Sequence, residues 1–135
     1  RRLMNWFHQK FYAEVTELLI HEKINKLVLA SGNSARSPEP GILRAARNNI
    51  RYHLQYVGHL LHHRNWIAGD RLTYADLAAA AHLSAADYLG DVPWGENEAA
   101  KHWYAKVKSR PAFRTLLADR LRGLPPAAHY TDLDF

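Results

Sequence analysis

The chain contains no cysteine, which excludes disulfides, thiol catalysis and cysteine-ligated metal sites and favours no particular compartment. It also has no uninterrupted run of the roughly 18 apolar residues that a transmembrane helix needs. The longest nearly apolar stretch, Leu77 to Ala86, is interrupted by His82 and Ser84, and no signal-peptide pattern follows Arg1. We therefore expect no membrane insertion. A length of 135 residues with 47% apolar content fits one domain around one core.

Acidic residues are scarce in the first half of the chain. Residues 1–67 carry ten Lys/Arg and four Asp/Glu, whereas residues 68–135 carry eight and nine, which accounts for the net charge of +5. The basic half is either an ordinary solvated helix face or a surface that attracts an acidic partner. Arg44, Arg47 and Arg51 share a helix face beside Tyr52 and Tyr56, a weak signal for single-stranded nucleic acid. No nucleic-acid-binding motif accompanies them, so we predict no nucleic-acid partner.

Helical spacing dominates the apolar pattern, and strand alternation is absent. The spacing predicts helices over about residues 3–30, 42–64, 73–89, 96–108 and 111–121, with a polar loop from Ser31 to Gly41. The third helix is apolar on nearly every side, which is typical of a helix surrounded by others. We predict an all-α bundle of about five helices around this buried central helix in residues 1–121. Residues 122–135 then form a C-terminal tail.

The start of the third helix carries a complete capping signal. Gly69-Asp70 makes a turn, Thr73 is placed as the N-cap residue, and Asp76 is placed to satisfy the amide of Thr73 in return. Leu72 and Leu77 have the spacing of a hydrophobic staple. We predict a structural role for these residues. Thr73→Ala is expected to cost about 1 kcal/mol, and Asp76→Ala a similar or smaller amount.

The residues provide no convincing catalytic or metal site. Ser84, His82 and Asp87 fall within six residues of one buried helix, so their side chains cannot converge as nucleophile, base and orienting acid. His59 and His63 have a zinc-compatible spacing, but no carboxylate lies within that turn. We therefore predict no catalytic residue, no metal and no cofactor in this chain. Several aromatic residues belong either to the core or to a substrate pocket: Phe7, Phe11, Tyr12, Trp103 and Tyr130.

The order of these features resembles the C-terminal helical domain of the cytosolic glutathione transferase superfamily. The features are two long helices, the Gly-Asp turn with its capping box, the alanine-rich helix, and the step Lys108-Ser109-Arg110-Pro111-Ala112-Phe113. The resemblance covers about residues 1–121. It implies a preceding thioredoxin-like domain, absent from this chain, that binds glutathione and supplies the catalytic residue. Glutathione would be a ligand only if the whole protein is an active transferase acting on small hydrophobic electrophiles.

Two further segments, residues 78–94 and 124–135, resemble transferase-like cell-division proteins of alphaproteobacteria. That resemblance implies a cytoplasmic homodimer at the division site, without transferase activity. It implies that the partner is polymers of the tubulin-like protein FtsZ, or another division protein. The residues carried over as partner-binding are Asp132, Leu133, Asp134 and Phe135.

The tail is too apolar to be a purely solvating segment. It either folds back onto the bundle as a strap or projects as a short linear motif. In a mixed arrangement, Leu124 and Tyr130 dock while Asp132, Asp134 and Phe135 remain available to a partner. The sequence leaves these alternatives open.

Overall fold

A computed structural model of the chain describes residues 1–29 and 36–135. The first helix, α1, is continuous and consists of α-type turns at Arg2–Asn5 and Glu17–Leu19 alternating with π-type turns at Trp6–Thr16 and Ile20–Leu29. The sequence predicted this helix but not its i→i+5 hydrogen bonding. Its predicted end at Ser31-Gly32-Asn33, and the first five residues of the predicted loop, lie outside the described residues.

Four more helices follow: α2 (Pro40–Leu60), α3 (Tyr74–Tyr88), α4 (Glu98–Lys108) and α5 (Pro111–Leu117). A short 3₁₀ turn, Trp94–Glu96, precedes α4. Within residues 1–29 and 36–135 there is no strand, and the pairs Trp66–Gly69 and Leu121–Leu124 form isolated bridges. The predicted all-α fold of five helices is confirmed.

Several helix boundaries differ from those predicted, each for a local reason. Helix α2 begins at Pro40 rather than Ile42, because a proline without an amide hydrogen is tolerated in a first turn. It ends at Leu60, so Arg64 lies beyond the last helical turn rather than within it. Helix α4 begins at Glu98, since Asn97 caps it by accepting from the amide of Ala100 at 3.0 Å. Helix α5 ends at Leu117, which leaves Leu121 outside it.

The core lies between α1, α2, α3 and α4. Helix α3 contacts both α1 and α4, and it buries the polar side chains of Asp76, Ser84 and Asp87 along with its apolar ones. Ala81 is exposed, although it lies on the helix that we predicted to be surrounded by others. Ala99 is exposed too, although the apolar spacing of α4 predicts that it faces inward. Most of the residues that the spacing placed on the inner stripes of the first two helices are buried: Phe7, Phe11, Val15, Leu19, Ala46, Ile50, Leu54 and Val57. The other stripe residues are half-buried against the same core: Met4, Leu18, Leu43 and Leu61.

The capping residues fix the start of α3. The Thr73 hydroxyl oxygen accepts from the amide of Ala75 at 3.2 Å, and Asp76 Oδ2 accepts from the amide of Thr73 at 2.9 Å. Asp76 Oδ1 also accepts from the Ile67 amide at 3.0 Å and from Trp103 Nε1 at 2.8 Å. Asp76 therefore joins the preceding turn, α3 and α4. Leu72 and Leu77 are partly buried against the same core.

Candidate partner-binding tail

The first part of the tail is held by Tyr88 at the end of α3. The Tyr88 hydroxyl donates to the carbonyl of Leu124 at 2.6 Å and accepts from the amide of Leu121 at 2.9 Å. The backbone carbonyl of Tyr88 accepts from the amide of Ala127 at 2.9 Å. The rings of Tyr88 and Tyr130 meet edge to face at 5.1 Å, and Tyr130 is only 3% exposed. The tail is therefore a strap over the bundle at least as far as Tyr130.

A turn follows at residues 129–132. The amide of Asp132 donates to the carbonyl of His129 at 3.0 Å, and Asp132 Oδ1 accepts from the amide of Asp134 at 2.9 Å. His129 Nε2 lies 2.8 Å from Oδ1 of Asp87, a fully buried carboxylate on α3. The same Oδ1 accepts from Trp94 Nε1 at 2.8 Å. Asp87 thus connects the tail to the segment that precedes α4.

A second buried charge, Lys108, lies beneath this turn. Its Nζ donates to the backbone carbonyls of Asp132 at 2.7 Å and His129 at 3.3 Å. Burial lowers the pKa of Lys108, while the negative charges of Asp87 and Asp132 act in the opposite direction. Burial also raises the pKa of Tyr104, which neighbours Asp87. The tail is therefore fixed by charged groups that the bundle itself buries.

The four predicted partner-binding residues are consecutive in the chain, and their side chains are exposed to different extents. The side chains of Asp132 and Asp134 are exposed, and Leu133 is partly buried against the core. Phe135 is also half-buried, with its ring centroid 5.5 Å from that of Trp94 and 4.2 Å from Lys108 Nζ. Phe135 therefore packs against the bundle, whereas the mixed arrangement considered from the sequence left it available to a partner. The carboxylates of Asp132 and Asp134 remain accessible to a partner, and their partner-binding role stays a prediction.

Sequence reasoning did not identify the residues that anchor the tail, although a signal for them exists. Lys108 lies four residues after Tyr104, on the side of α4 that also carries Ala100. Asp87 lies near the end of α3, a helix that is largely buried. A charged residue on a buried helix face requires a partner, because burial of an isolated charge is costly. That requirement could have pointed to both residues. Only the three-dimensional structure shows that the tail supplies the groups that contact them.

An apolar cavity of about 270 Å³ lies between α1, α3, the end of α5 with the segment that follows it, and Tyr130 of the tail. Its lining includes Ile20, Ser84, Tyr88 and Tyr130. Of the five aromatic residues considered for a substrate pocket, Tyr130 is the one that lines this cavity. Three of the others, Phe7, Phe11 and Trp103, are buried in the core.

The histidines do not assemble a catalytic or metal-binding group with Ser84. His82 pairs with His8, with His8 Nδ1 and His82 Nε2 2.8 Å apart, whereas Asp87 contacts His129. In the described part of the chain, no three histidine or acidic side chains are grouped so that they could hold a metal ion. None of the described helices combines the length and apolarity needed to cross a membrane.

The five-helix bundle with its capped central helix belongs to a known family. The glutathione S-transferase C-terminal domain model matches residues 35–120, and the chain is a member of that family. FtsZ-localized protein A of Caulobacter vibrioides (strain NA1000 / CB15N) is 55% identical over 135 residues, a match that covers 100% of this chain and 58% of that protein.

Solved structures agree with this assignment. FzlA from C. crescentus superimposes with a TM-score of 0.92 at 55% identity, covering 100% of this chain and 58% of that one. A glutathione S-transferase from Rhodospirillum rubrum F11 has a TM-score of 0.92 at 50% identity, covering 100% of this chain and 59% of that one. The chain therefore spans less than two thirds of the length of these relatives.

Proposed function

We propose that this chain is the helical domain of a non-catalytic transferase-like protein that binds FtsZ polymers and promotes cell division. The observation that carries the proposal is the 55% identity to FtsZ-localized protein A, which extends over the whole chain including the tail. The exposed carboxylates of Asp132 and Asp134 supply an accessible acidic surface at a fixed position on the bundle. The protein would act in the cytoplasm, at the division site.

The proposed mechanism is bivalent binding. A homodimer presents two tails, so that after one tail binds a polymer the second binds at a high effective concentration. Weak contacts by a small acidic surface then suffice for stable association. Polymer binding through side chains requires no cofactor in this chain.

Cosedimentation of the full-length protein with polymerised FtsZ tests the proposal. Wild-type protein should pellet with polymer and remain in solution without it. Asp132→Lys and Asp134→Lys should reduce pelleting because each reverses an exposed charge at the predicted contact. Asp134→Lys should leave Tm nearly unchanged, since exposed side chains contribute little to stability. Asp132→Lys should lower Tm modestly, because it also removes the acceptor of the Asp134 amide and a negative charge near Lys108.

Asp70→Lys is a matched control, because Asp70 is an exposed carboxylate in the turn before α3. It should pellet like the wild type. Equal pelleting of wild-type protein with and without polymer would reject FtsZ binding. A large loss of Tm in Asp132→Lys would instead show that this residue serves mainly to hold the tail.

An active glutathione transferase is the second candidate function, supported by the apolar cavity and by the Rhodospirillum rubrum neighbour described as a transferase. In that case the catalytic residue lies outside this chain, and glutathione binds elsewhere in the whole protein. Retention of the full-length protein on glutathione resin, together with conjugation of a small aromatic electrophile, would support this candidate. Failure of both this assay and FtsZ pelleting would favour a helical domain that binds another division protein.

A further inference from the structure

Lys108 is a fully buried lysine in the last turn of α4, with no exposed surface. Removing an ammonium group from water is costly unless hydrogen bonds and nearby negative charge compensate for the loss. The negative charge near Lys108 comes from Asp87 on α3 and from Asp132, whereas the hydrogen-bond acceptors come from the tail. The two carbonyls that accept from Nζ belong to His129 and Asp132, the residues at the two ends of the turn.

Two aromatic rings lie near Lys108, one from the tail and one from α4. Phe135 lies over Nζ at 4.2 Å on one side, and Tyr104 lies at 5.4 Å. An ammonium group over an aromatic face is attracted to it, and the attraction increases when water is excluded. The bundle thus supplies the charge, and the tail supplies the carbonyls and one of the rings that enclose it.

This arrangement determines which way the acidic side chains point. The backbone carbonyl of Asp132 faces inward to Lys108, while the Asp132 side chain is exposed. Asp132 Oδ1 then accepts from the amide of Asp134, and the Asp134 side chain is exposed as well. Asp87 holds the first residue of the turn through His129 but does not contact the carbonyl of Asp132.

We propose that Lys108 is a positioning residue that fixes the 129–132 turn so that Asp132 and Asp134 present their carboxylates to a basic surface of the protein partner. The link to partner binding rests on the proposed function of the tail. The anchoring role itself does not depend on that function. Lys108 would then control partner binding without touching the partner.

Lys108→Met in the full-length protein tests the anchor directly. Methionine keeps the apolar stem and removes the donors and the charge. Removing one buried charge costs some stability, because Asp87 stays buried with its bond from Trp94 Nε1, so exchange is measured under conditions in which the variant is folded. Hydrogen exchange of residues 129–135 should accelerate by about tenfold or more, while exchange within α3 and α4 remains near the wild-type rate. Pelleting with FtsZ polymer should fall as it does for Asp132→Lys.

Lys106→Met is the matched control. Lys106 lies two residues earlier on α4, is exposed, donates to the carbonyl of Asn65 at 2.9 Å and lies 4.2 Å from the Trp66 ring centroid. Lys106 makes the same kinds of contact as Lys108 but away from the tail. Lys106→Met should therefore change neither the hydrogen exchange of residues 129–135 nor the pelleting with FtsZ polymer. Lys108→Arg, which retains a charged donor, should restore part of both the protection and the pelleting.

The outcomes separate the anchor from the proposed function. If the amides of residues 129–135 in Lys108→Met exchange at the wild-type rate, the inference is overturned, whatever the pelleting shows. Faster exchange with normal pelleting would overturn the positioning role, provided that Asp132→Lys impairs pelleting. If wild-type protein fails to pellet at all, the proposed function fails, and the exchange measurement still decides whether Lys108 anchors the tail.

Discussion

Asp76 illustrates how one side chain acquires a larger role than its position in the sequence indicates. The capping pattern predicted its bond to the Thr73 amide, and the structure contains that bond at 2.9 Å. Its bonds to the Ile67 amide and to Trp103 Nε1 could not be predicted, because they depend on how the preceding turn and α4 pack. The expectation that Asp76→Ala costs no more than Thr73→Ala is therefore revised.

We now predict that Asp76→Ala destabilises the protein by about 3 kcal/mol or more. The substitution leaves the Ile67 amide and Trp103 Nε1 buried without an acceptor, at about 1–3 kcal/mol for each unsatisfied group. Thr73→Ala should cost about 1 kcal/mol, since it removes one partly exposed cap. Urea unfolding of the full-length variants, followed by tryptophan fluorescence, measures both. Equal costs would show that the buried donors find other acceptors.

His53 provides a residue-scale prediction about pH. It is 1% exposed on α2, and its Nδ1 accepts from Trp6 Nε1 at 3.0 Å. Burial lowers the pKa of His53 below the ordinary value of 6.5, Glu14 opposes that shift, and Lys10 reinforces it. As pH falls below 6.5, the unfolded chain therefore binds the proton before the folded chain does. Stability is complete above this pH and is lost as pH falls through the folded-state pKa, by at most about 1.4 kcal/mol per unit.

Urea midpoints between pH 8 and pH 5 check this prediction. His53→Gln should flatten the decline, because glutamine can accept from Trp6 without titrating in that range. His63→Gln is the control, since His63 is exposed beyond the end of α2. An unchanged slope in His53→Gln would assign the acid sensitivity to other groups. His82, whose pKa is also lowered by burial, is the next to test.

At the element scale, the seam between α2 and α4 depends on a close approach at Gly58. A Cβ built there would lie 2.7 Å from Asn97 Nδ2. Asn97 cannot move freely, because it caps α4 and donates to the carbonyl of Leu54 at 3.2 Å. We predict that Gly58→Ala destabilises the protein by about 1–3 kcal/mol through overpacking, although alanine favours helices by about 1 kcal/mol.

Gly41→Ala is the matched control on the same helix. A Cβ at Gly41 meets nothing nearer than an Arg44 side-chain nitrogen at 3.9 Å, so the substitution should be neutral or slightly stabilising. Urea midpoints of the two variants give the comparison. A neutral Gly58→Ala would show that the N-cap of α4 can shift away from α2 at little cost.

The sequence predicted the presence of the five helices more accurately than it predicted their ends. Apolar spacing located all five helices, because a stripe of buried residues is encoded locally. The end of α2 at Leu60 and the exposure of Ala99 depend on packing between helices, which spacing does not encode. The anchors of the tail were missed for the same reason: Asp87 and Lys108 meet His129 only after the bundle has formed.

At the scale of the whole molecule, the proposed bivalency predicts that a dimer with one functional tail binds FtsZ polymer more weakly than a dimer with two. Wild-type full-length subunits are mixed and re-equilibrated with an excess of the Asp132→Lys, Asp134→Lys double variant, so that most wild-type subunits enter mixed dimers. Each mixed dimer loses the effective-concentration gain of the second tail. Pelleting of wild-type subunits with FtsZ polymer should then fall well below its value at the same wild-type concentration without the variant.

Mixing with Asp70→Lys subunits controls for subunit exchange itself and should leave wild-type pelleting unchanged. Light scattering measures the molar mass of each mixture and shows whether dimers are present. If wild-type pelleting is unaffected by the tail variant, each tail acts independently, and bivalency is not the source of polymer binding. A monomeric mass for the full-length protein would reject the homodimer, and the affinity for polymer would then have to come from a single tail together with other surfaces of the molecule.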